Sequence, residues 1–423
     1  MARRVLVLGG GTGGTLAANR LRRVLGPRDE ITVVDADDRH LYQPGLLFVP
    51  FGLASPSRLV RSRAAQLRPG VTFVESAVDR VDLDADTVVL ADGTTMSYDV
   101  LVVASGSRLL PDETEGLTGA GWGRRVHTFY TLGGAAVLGG ALATFEGGRI
   151  VVNLVDLPVK CPVAPLEFCF LADWYLRRRG IRARTQLTLV TPLDGAFTKP
   201  GCNRMLSGLL GDKGVEVVTE FATAAVDGEQ GRLVSYDERT VPFDTAVMVP
   251  VHGGAAYVGR SPGLGDPMGF VPTDPGTLQA RAKPNVFVIG DATDLRASKA
   301  GSVAHFEGEV LVHNVRRLLA GQEPDARFDG HTNCFIETGF GRALLIDFND
   351  ALDPVPGRFP GPVGLPLLKE SRLNHLGKLA FEQLYWHAIL PGRDIPFIES
   401  AMPAAGKRCD TTERTPELVG GPR

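Results

Sequence analysis

The stretch "RVLVLGGGTGGTLAANRLRRVLG", residues 4–26, decides the fold. Arg4–Leu8 is a short apolar strand. Leu16, Ala17, Leu21, Val24 and Leu25 then recur at helical spacing, and Gly26 is placed to cap that helix. Between strand and helix, Gly9, Gly11 and Gly14 fit G-x-G-x-x-G. Bare backbone at such a turn can approach a pyrophosphate at the helix N-terminus. The following segment, "EITVVD", ends at Asp35, where a carboxylate accepts hydrogen bonds from both ribose hydroxyls. Strand, glycines, helix and acid together predict a doubly wound α/β fold around a dinucleotide.

The 423 residues exceed one core of usual size and predict two or three domains. A net charge of −3 with 44% hydrophobic residues gives no basic excess for nucleic acid. No apolar run reaches the ~18 residues of a spanning helix. The opening "MARRVLVLGGG" has too short an apolar run for a cleavable signal peptide. Five cysteines without a signal peptide argue against a secreted disulfide scaffold. No metal-ligand spacing is read in the chain.

Two later segments favour FAD over NAD as the first dinucleotide. "YDVLVVASGS", residues 98–107, is a strand ending in a small-residue turn, after a hairpin at Asp92-Gly93. In "NVFVIGDATDLRASKAGSVAHF", Gly290 and Asp291 end another apolar strand. Asp291 serves there as a partner for a ribityl hydroxyl, or as a turn residue. A helix beginning near Ala300, with Val303, Phe306, Val310 and Leu311 buried, directs free N–H groups at the pyrimidine edge of a flavin. These segments resemble the flavoproteins with two dinucleotide-binding domains. The resemblance implies an FAD domain of residues 1–110 and 270–325, a second Rossmann-like domain of 111–269, and a C-terminal cap of 326–407 with amphipathic helices, before a disordered tail of 408–423.

The inserted domain breaks the pattern. "VVNLVDLPVKCPVAPLEFCFLADWYLRRRG", residues 151–180, runs from strand to helix without the second glycine motif. Lys160, Cys161 and Pro162 stand there instead, which argues against a nicotinamide as electron donor. Proline suits the first helical position, so the helix is expected to begin near Pro162–Pro165. Cys161 then sits at its positive end, a position that favours the thiolate. Glu167 relays a proton or complements the helix dipole. A second cysteine, Cys334, lies in a strand–turn–strand segment, "FDGHTNCFIETGFGRALLIDFN". Sequence alone does not bring the two cysteines together.

"VLVLGGGTGGTLAANRL", "YQPGLLFVPFG", "KCPVAPLE", "TPLDGAFTKP", "VFVIGDATD" with "SKAG", and "GHTNCF" resemble the sulfide:quinone oxidoreductase family over almost the whole chain. The resemblance implies that Cys161 and Cys334 form a redox pair beside the isoalloxazine. It implies that Gly9, Gly11, Gly14, Asp35, Val78, Gly106, Gly290 and Asp291 hold FAD, that Pro44 touches the ring, and that Lys299 and Ala300 lie near its pyrimidine end. Phe335 and Phe340 become part of a quinone slot, or remain core aromatics. Electrons pass from sulfide, or another small thiol or persulfide, through FAD to a membrane quinone. Two rival readings are an NADH-dependent quinone or disulfide reductase and a flavin-bearing persulfide sensor without turnover. Some members carry a third cysteine early in the inserted domain; "VHTFYTLGGA", residues 126–135, has none.

A quinone acceptor implies peripheral membrane association, with the cytoplasmic side favoured. In the tail, Leu373, Leu376, Leu379, Ala380, Leu384, Trp386 and Leu390 share a broad helical face. Lys369, Arg372, Lys378 and Arg393 flank it, and Tyr385 and Trp386 suit an interface. The face meets a membrane, the protein's own body, or a second copy in a homo-oligomer. The final stretch from Gly406 reads as disordered, with Cys409 incidental.

Overall fold

The computed structural model describes residues 2–396 and 398–408. Cys409 and most of the expected disordered tail lie outside them. The first sheet contains β1 (Arg4–Leu8), β2 (Glu30–Asp35), β3 (Val71–Glu75), β4 (Val100–Val103) and a fifth strand from far downstream. The spatial order is fifth strand, β4, β1, β2, β3, and all pairings are parallel. β1 and β4 are buried on both faces, as continuous apolar runs in parallel sheets require. Helix α1 (Thr12–Val24) follows β1 and packs Ala17, Ala18 and Leu21 into the core. The strand order reverses beside β1, so the glycine turn lies at a switch point where doubly wound sheets bind ligands.

The second sheet repeats this plan with β5 (Val126–His127), β6 (Gly148–Leu154), β7 (Thr185–Val190), β8 (Val215–Val218) and β9 (Thr245–Val249). Its order is β5, β9, β6, β7, β8, again parallel. Its helices are α2 (Leu132–Thr144), α3 (Ala164–Arg178) and α4 (Pro200–Asp212). α3 follows β6 just as α1 follows β1. The chain then returns to the first sheet through β10 (Val286–Val288) and α5 (Gly301–Leu319). An aromatic stack joins the units, with Phe168 of α3 lying 5.0 Å from Phe51 and 5.1 Å from Phe129. Such pairs add to plain area burial.

The C-terminal part is a hairpin of β11 (Thr332–Gly339) and β12 (Arg342–Phe348), with α6 (Arg372–Leu384) packed on it. Ser371 caps α6 by accepting a hydrogen bond from the Asn374 N–H. The chain continues through a π turn, Tyr385–Ile389, back onto the first domain. Tyr385, Trp386 and Leu390 are buried there. Of the alternatives open for that face, these three residues take the protein's own body: the C-terminal helix divides, and its second half packs on the first domain. Leu373, Leu376 and Leu379 remain exposed. The expected disorder from Gly406 is corrected over Gly406–Arg408. Lys407 pairs with Gly357, and the Arg408 N–H donates to Pro356 at 2.8 Å. The Lys407 ammonium is fully buried against Asp347 at 2.5 Å, which fixes that segment.

Candidate functional site

A cavity of about 420 Å³ lies where the first sheet, the second sheet and the cap meet. Two helix N-termini open onto it. Gly11 caps α1 without a side-chain hydrogen bond, and no acidic residue stands in the first turn. A Cβ on Gly11 would meet nothing within 4 Å, so that side of the turn is open space. Gly14 differs: a Cβ there would lie 1.8 Å from the Gly9 carbonyl oxygen, so it permits the close approach of α1 to β1. Gly9 adopts φ +95°, and a Cβ would strike the backbone of Ala104 and Ser105. α5 likewise starts at Ala300 with no side-chain cap, and Gly301 and Ser302 line the cavity. Two positive helix ends directed into one elongated cavity suit an anionic dinucleotide with a second electron-rich end.

Of the expected FAD ligands, Gly9, Gly11, Asp35, Pro44, Gly106, Gly290, Asp291, Lys299 and Ala300 line this cavity. Asp35 accepts from the Gly10 N–H at 2.6 Å, the Ala36 N–H at 2.7 Å and the Arg63 guanidinium. Asp291 is half-buried, and desolvation raises its pKa against the opposing charges of Lys299 and Lys160. Lys299 donates to the carbonyls of Asp291 at 3.0 Å and Thr293 at 2.8 Å. Val78 is a correction. It pairs with Leu90 in an antiparallel meander against the outer core and is not among the residues that line the cavity. The donor set, open glycine turn and two uncapped helices fit FAD.

The second turn closes on the first domain. The Cys161 N–H donates to the Lys299 carbonyl at 2.8 Å, and Lys160 and Lys299 form a parallel bridge. The Tyr130 hydroxyl donates to the Lys160 carbonyl at 3.0 Å. Cys161 has φ +49°, a strained conformation for a side-chain-bearing residue. Both Cys161 and Cys334 are half-buried free thiols lining the cavity. Residues 173 positions apart in the chain thus line one cavity, and the neighbouring Cys334 thiol is the largest influence raising the Cys161 pKa.

That neighbour corrects the expectation of a thiolate favoured by the helix. α3 begins at Ala164, so Cys161 stands ahead of its first turn. The Cys334 thiol, burial and the Glu167 charge push the Cys161 pKa up, and Lys378 opposes them. Glu167 points into this site. Its Oε1 accepts from the Glu337 N–H at 2.6 Å and from the Lys378 ammonium. Burial raises the Glu167 pKa, with Lys378 acting against it. Lys378 is thereby corrected from a membrane-flanking cation to a cavity-lining residue whose side chain is 12% exposed.

Phe335 lines the cavity. Phe340 does not: it sits at the β11–β12 turn with φ +55°, 48% exposed and near Lys213, outside both the slot and the core. Cys169 and Cys202 are fully buried, and burial, with smaller effects of Cys334 and Asp353, pushes Cys202 up to about 12.

Sequence reasoning missed several site residues. Lys378 was masked by its place in an amphipathic helix. Tyr385 bonds Thr12 at 2.8 Å and His40 at 2.7 Å, joining the cap to the glycine turn. His40 Nδ1 lies 3.1 Å from the Gly10 carbonyl, so Nδ1 carries the proton and Nε2 accepts from Tyr385. Neither contact leaves a local sequence signal. Lys160 lines the cavity beside Cys161, and its adjacency to the cysteine was the one available clue.

The profile of the pyridine nucleotide-disulphide oxidoreductase family matches residues 3–308. The chain is 28% identical over 395 residues to the mitochondrial sulfide:quinone oxidoreductase of Mus musculus, covering 92% of this chain and 86% of that protein. It is 28% identical over 398 residues to the mitochondrial sulfide:quinone oxidoreductase of Dictyostelium discoideum, with the same coverages of 92% and 86%. Among solved structures, the sulfide:quinone oxidoreductase of the hyperthermophilic bacterium Aquifex aeolicus superposes with a TM-score of 0.77. Its 22% identity, over 93% of this chain and 92% of that one, speaks for the fold.

Proposed function

The chain belongs to the pyridine nucleotide-disulphide oxidoreductase family, and from that premise we propose that it oxidises sulfide through Cys161 and Cys334 and passes the electrons to a quinone. The observation that supports this reading is that both thiols line one cavity, together with the Glu167–Lys378 pair. Relatives named sulfide:quinone oxidoreductase match along almost the whole chain and support the substrate and acceptor.

FAD, when bound, supplies a two-electron acceptor that can release electrons singly or in pairs. Gly9, Gly11, Asp35, Gly106, Asp291 and the N-terminus of α5 would hold it. Hydrosulfide attacks the oxidised Cys161–Cys334 pair; one sulfur–sulfur bond breaks as another forms, leaving a persulfide on one cysteine and a thiolate on the other. Glu167 takes the proton that the persulfide gives up. The Lys378 ammonium keeps Glu167 ionised between turnovers and steadies the departing thiolate. Phe335 contributes apolar surface at the cavity wall. Leu373, Leu376 and Leu379, exposed on one face of α6, serve as the membrane contact that a lipid-soluble quinone requires.

Anaerobic titration of the yellow holoprotein tests this. Sulfide should bleach the flavin, a soluble quinone analogue should restore its colour, and NADH should do neither. Rapid bleaching by NADH with none by sulfide would replace this reading with a nicotinamide-dependent reductase.

A further inference from the structure

The cap holds a second cavity, of about 520 Å³, which shares no lining residue with the one that contains the thiols. It lies beside a short hairpin of β13 (Gly357–Phe359) and β14 (Leu365–Leu367). Alternation along the strands sets which side chains face it. Phe359 and Leu367 pack inward with Leu345, so the cross-strand pair between them, Arg358 and Pro366, turns outward. Lys407 bridges to Gly357 and buries its ammonium against Asp347. Arg408, next in the chain, is exposed and lines the cavity. Lys369 joins from the segment ahead of α6. Its carbonyl and that of Pro366 both accept from the Asn374 side chain at 2.9 Å, which ties that segment to the first turn of the helix.

Three cations from three segments, Arg358, Lys369 and Arg408, thus line one cavity, and no carboxylate lines it among the described residues. The nearby acids are engaged elsewhere. Glu370 turns to Arg342 at 3.8 Å, and Asp347 is taken by Lys407 and His331. Like charges gathered without a counter-charge repel, and an entering anion relieves that repulsion. The remaining walls are largely apolar, from Pro356, Pro362, Pro366, Leu367 and Leu368. Cations beside apolar walls suit a phosphate that carries hydrocarbon. The hairpin tip adds a second sign. No charge stands between Phe359 and Leu368, and Val363 at the tip is 92% exposed. β14 also packs on α6, since a Cβ on Gly377 would lie 3.0 Å from Leu365. The tip is therefore anchored to the helix that exposes Leu373, Leu376 and Leu379.

We propose that this cavity seats the phosphate headgroup of an anionic phospholipid while Val363 enters the membrane beside α6. The inference rests on the membrane contact assigned to α6 above and adds a lipid class to it.

The test floats the holoprotein with vesicles of phosphatidylcholine alone, or with about one-third phosphatidylglycerol. Wild type should bind the anionic vesicles on the order of a hundredfold more tightly, and rising salt should erase the difference. Lys369→Gln combined with Arg408→Gln should bind anionic vesicles on the order of twentyfold more weakly and neutral ones unchanged. Both residues lie outside the thiol cavity, so FAD content and turnover with a soluble quinone analogue should stay at wild-type levels. Val363→Asp should weaken binding to both kinds of vesicle. Equal binding of wild type to both vesicles, or wild-type binding by the double variant, overturns the proposal. Tight binding of inorganic phosphate with no preference between vesicles would assign the cavity to a free anion and also overturns it. Failure of wild type to bind either vesicle removes the α6 contact and this inference together. The anaerobic sulfide titration, done without lipid, reads the redox reaction separately.

Discussion

The turn after β1 and the turn after β6 stand at the same place in two parallel sheets, yet one is bare backbone and the other is filled with side chains. In the first, Gly11 faces open space and Gly14 lets α1 press against β1. In the second, Cys161 is tied to Lys299 and Tyr130 covers the Lys160 carbonyl. The same βα geometry thus has two fillings: in the first turn the glycines leave open space, and in the second side chains occupy the corresponding space and set a thiol there. The second turn also meets the first domain directly, which brings its thiol to the cavity at the first sheet.

The most severe way to break this contrast is Cys161→Ser. Sulfide-dependent quinone reduction should fall by on the order of a thousandfold or more, with FAD content unchanged, in steady-state assays. Full activity would leave the second turn a mere filler. Lys378→Met comes next. It leaves Glu167 buried without its cation and should cost about 3–5 kcal/mol of stability, read by urea unfolding. Wild-type stability would mean that Glu167 is held by the Glu337 N–H alone.

In the first turn, Gly14→Ala forces a Cβ onto the Gly9 carbonyl and should cost about 1–3 kcal/mol, with reduced FAD content on purification. An adjacent substitution, Gly11→Ala, meets nothing in the protein and should lower FAD affinity with little effect on the stability of the FAD-free chain. The pair separates packing from ligand approach within one motif.

Acid should loosen the cap. Burial holds His40 down to about 4, against an ordinary value of 6.5, with the Gly10 carbonyl acting in the opposite direction. An opened chain takes up a proton near 6.5 while the closed one does not. The stabilisation from neutral His40 is therefore present above about 6.5 and lost as pH falls toward about 4. Unfolding midpoints measured across that window should drop, and His40→Asn should flatten the drop. The smallest effect belongs to Tyr385→Phe. It keeps the ring against Tyr42 but removes the bonds to Thr12 and His40, costing about 1 kcal/mol and speeding FAD release in dilution experiments.

Much of the first domain was legible because its signals are local. The glycine turn, the carboxylate ending β2, the hairpin at Asp92-Gly93 and the helix from Ala300 each follow from a few neighbouring residues. The missing second glycine motif was equally local. Lys378, Tyr385 and Trp386 stayed undecided for the opposite reason. A lysine and two aromatics on an amphipathic helix carry the same pattern whether the helix lies on a membrane or folds back onto its own domain. Phe340 and Val78 were assigned by resemblance, and each was carried away from the cavity by the turn or meander that holds it.

By itself, the sequence determined the dinucleotide-type turn and the first parallel-sheet unit, since periodicity and turn chemistry act over a dozen residues or fewer; the second unit and the pairing of the two candidate thiols came through the family resemblance. Only the tertiary structure decided that Cys161 and Cys334 line one cavity, that Lys378 pairs with Glu167, and that Tyr385 joins the cap to the glycine turn. Those contacts depend on how three packed units settle against one another, and burial sets both the partners and the protonation of every group they enclose.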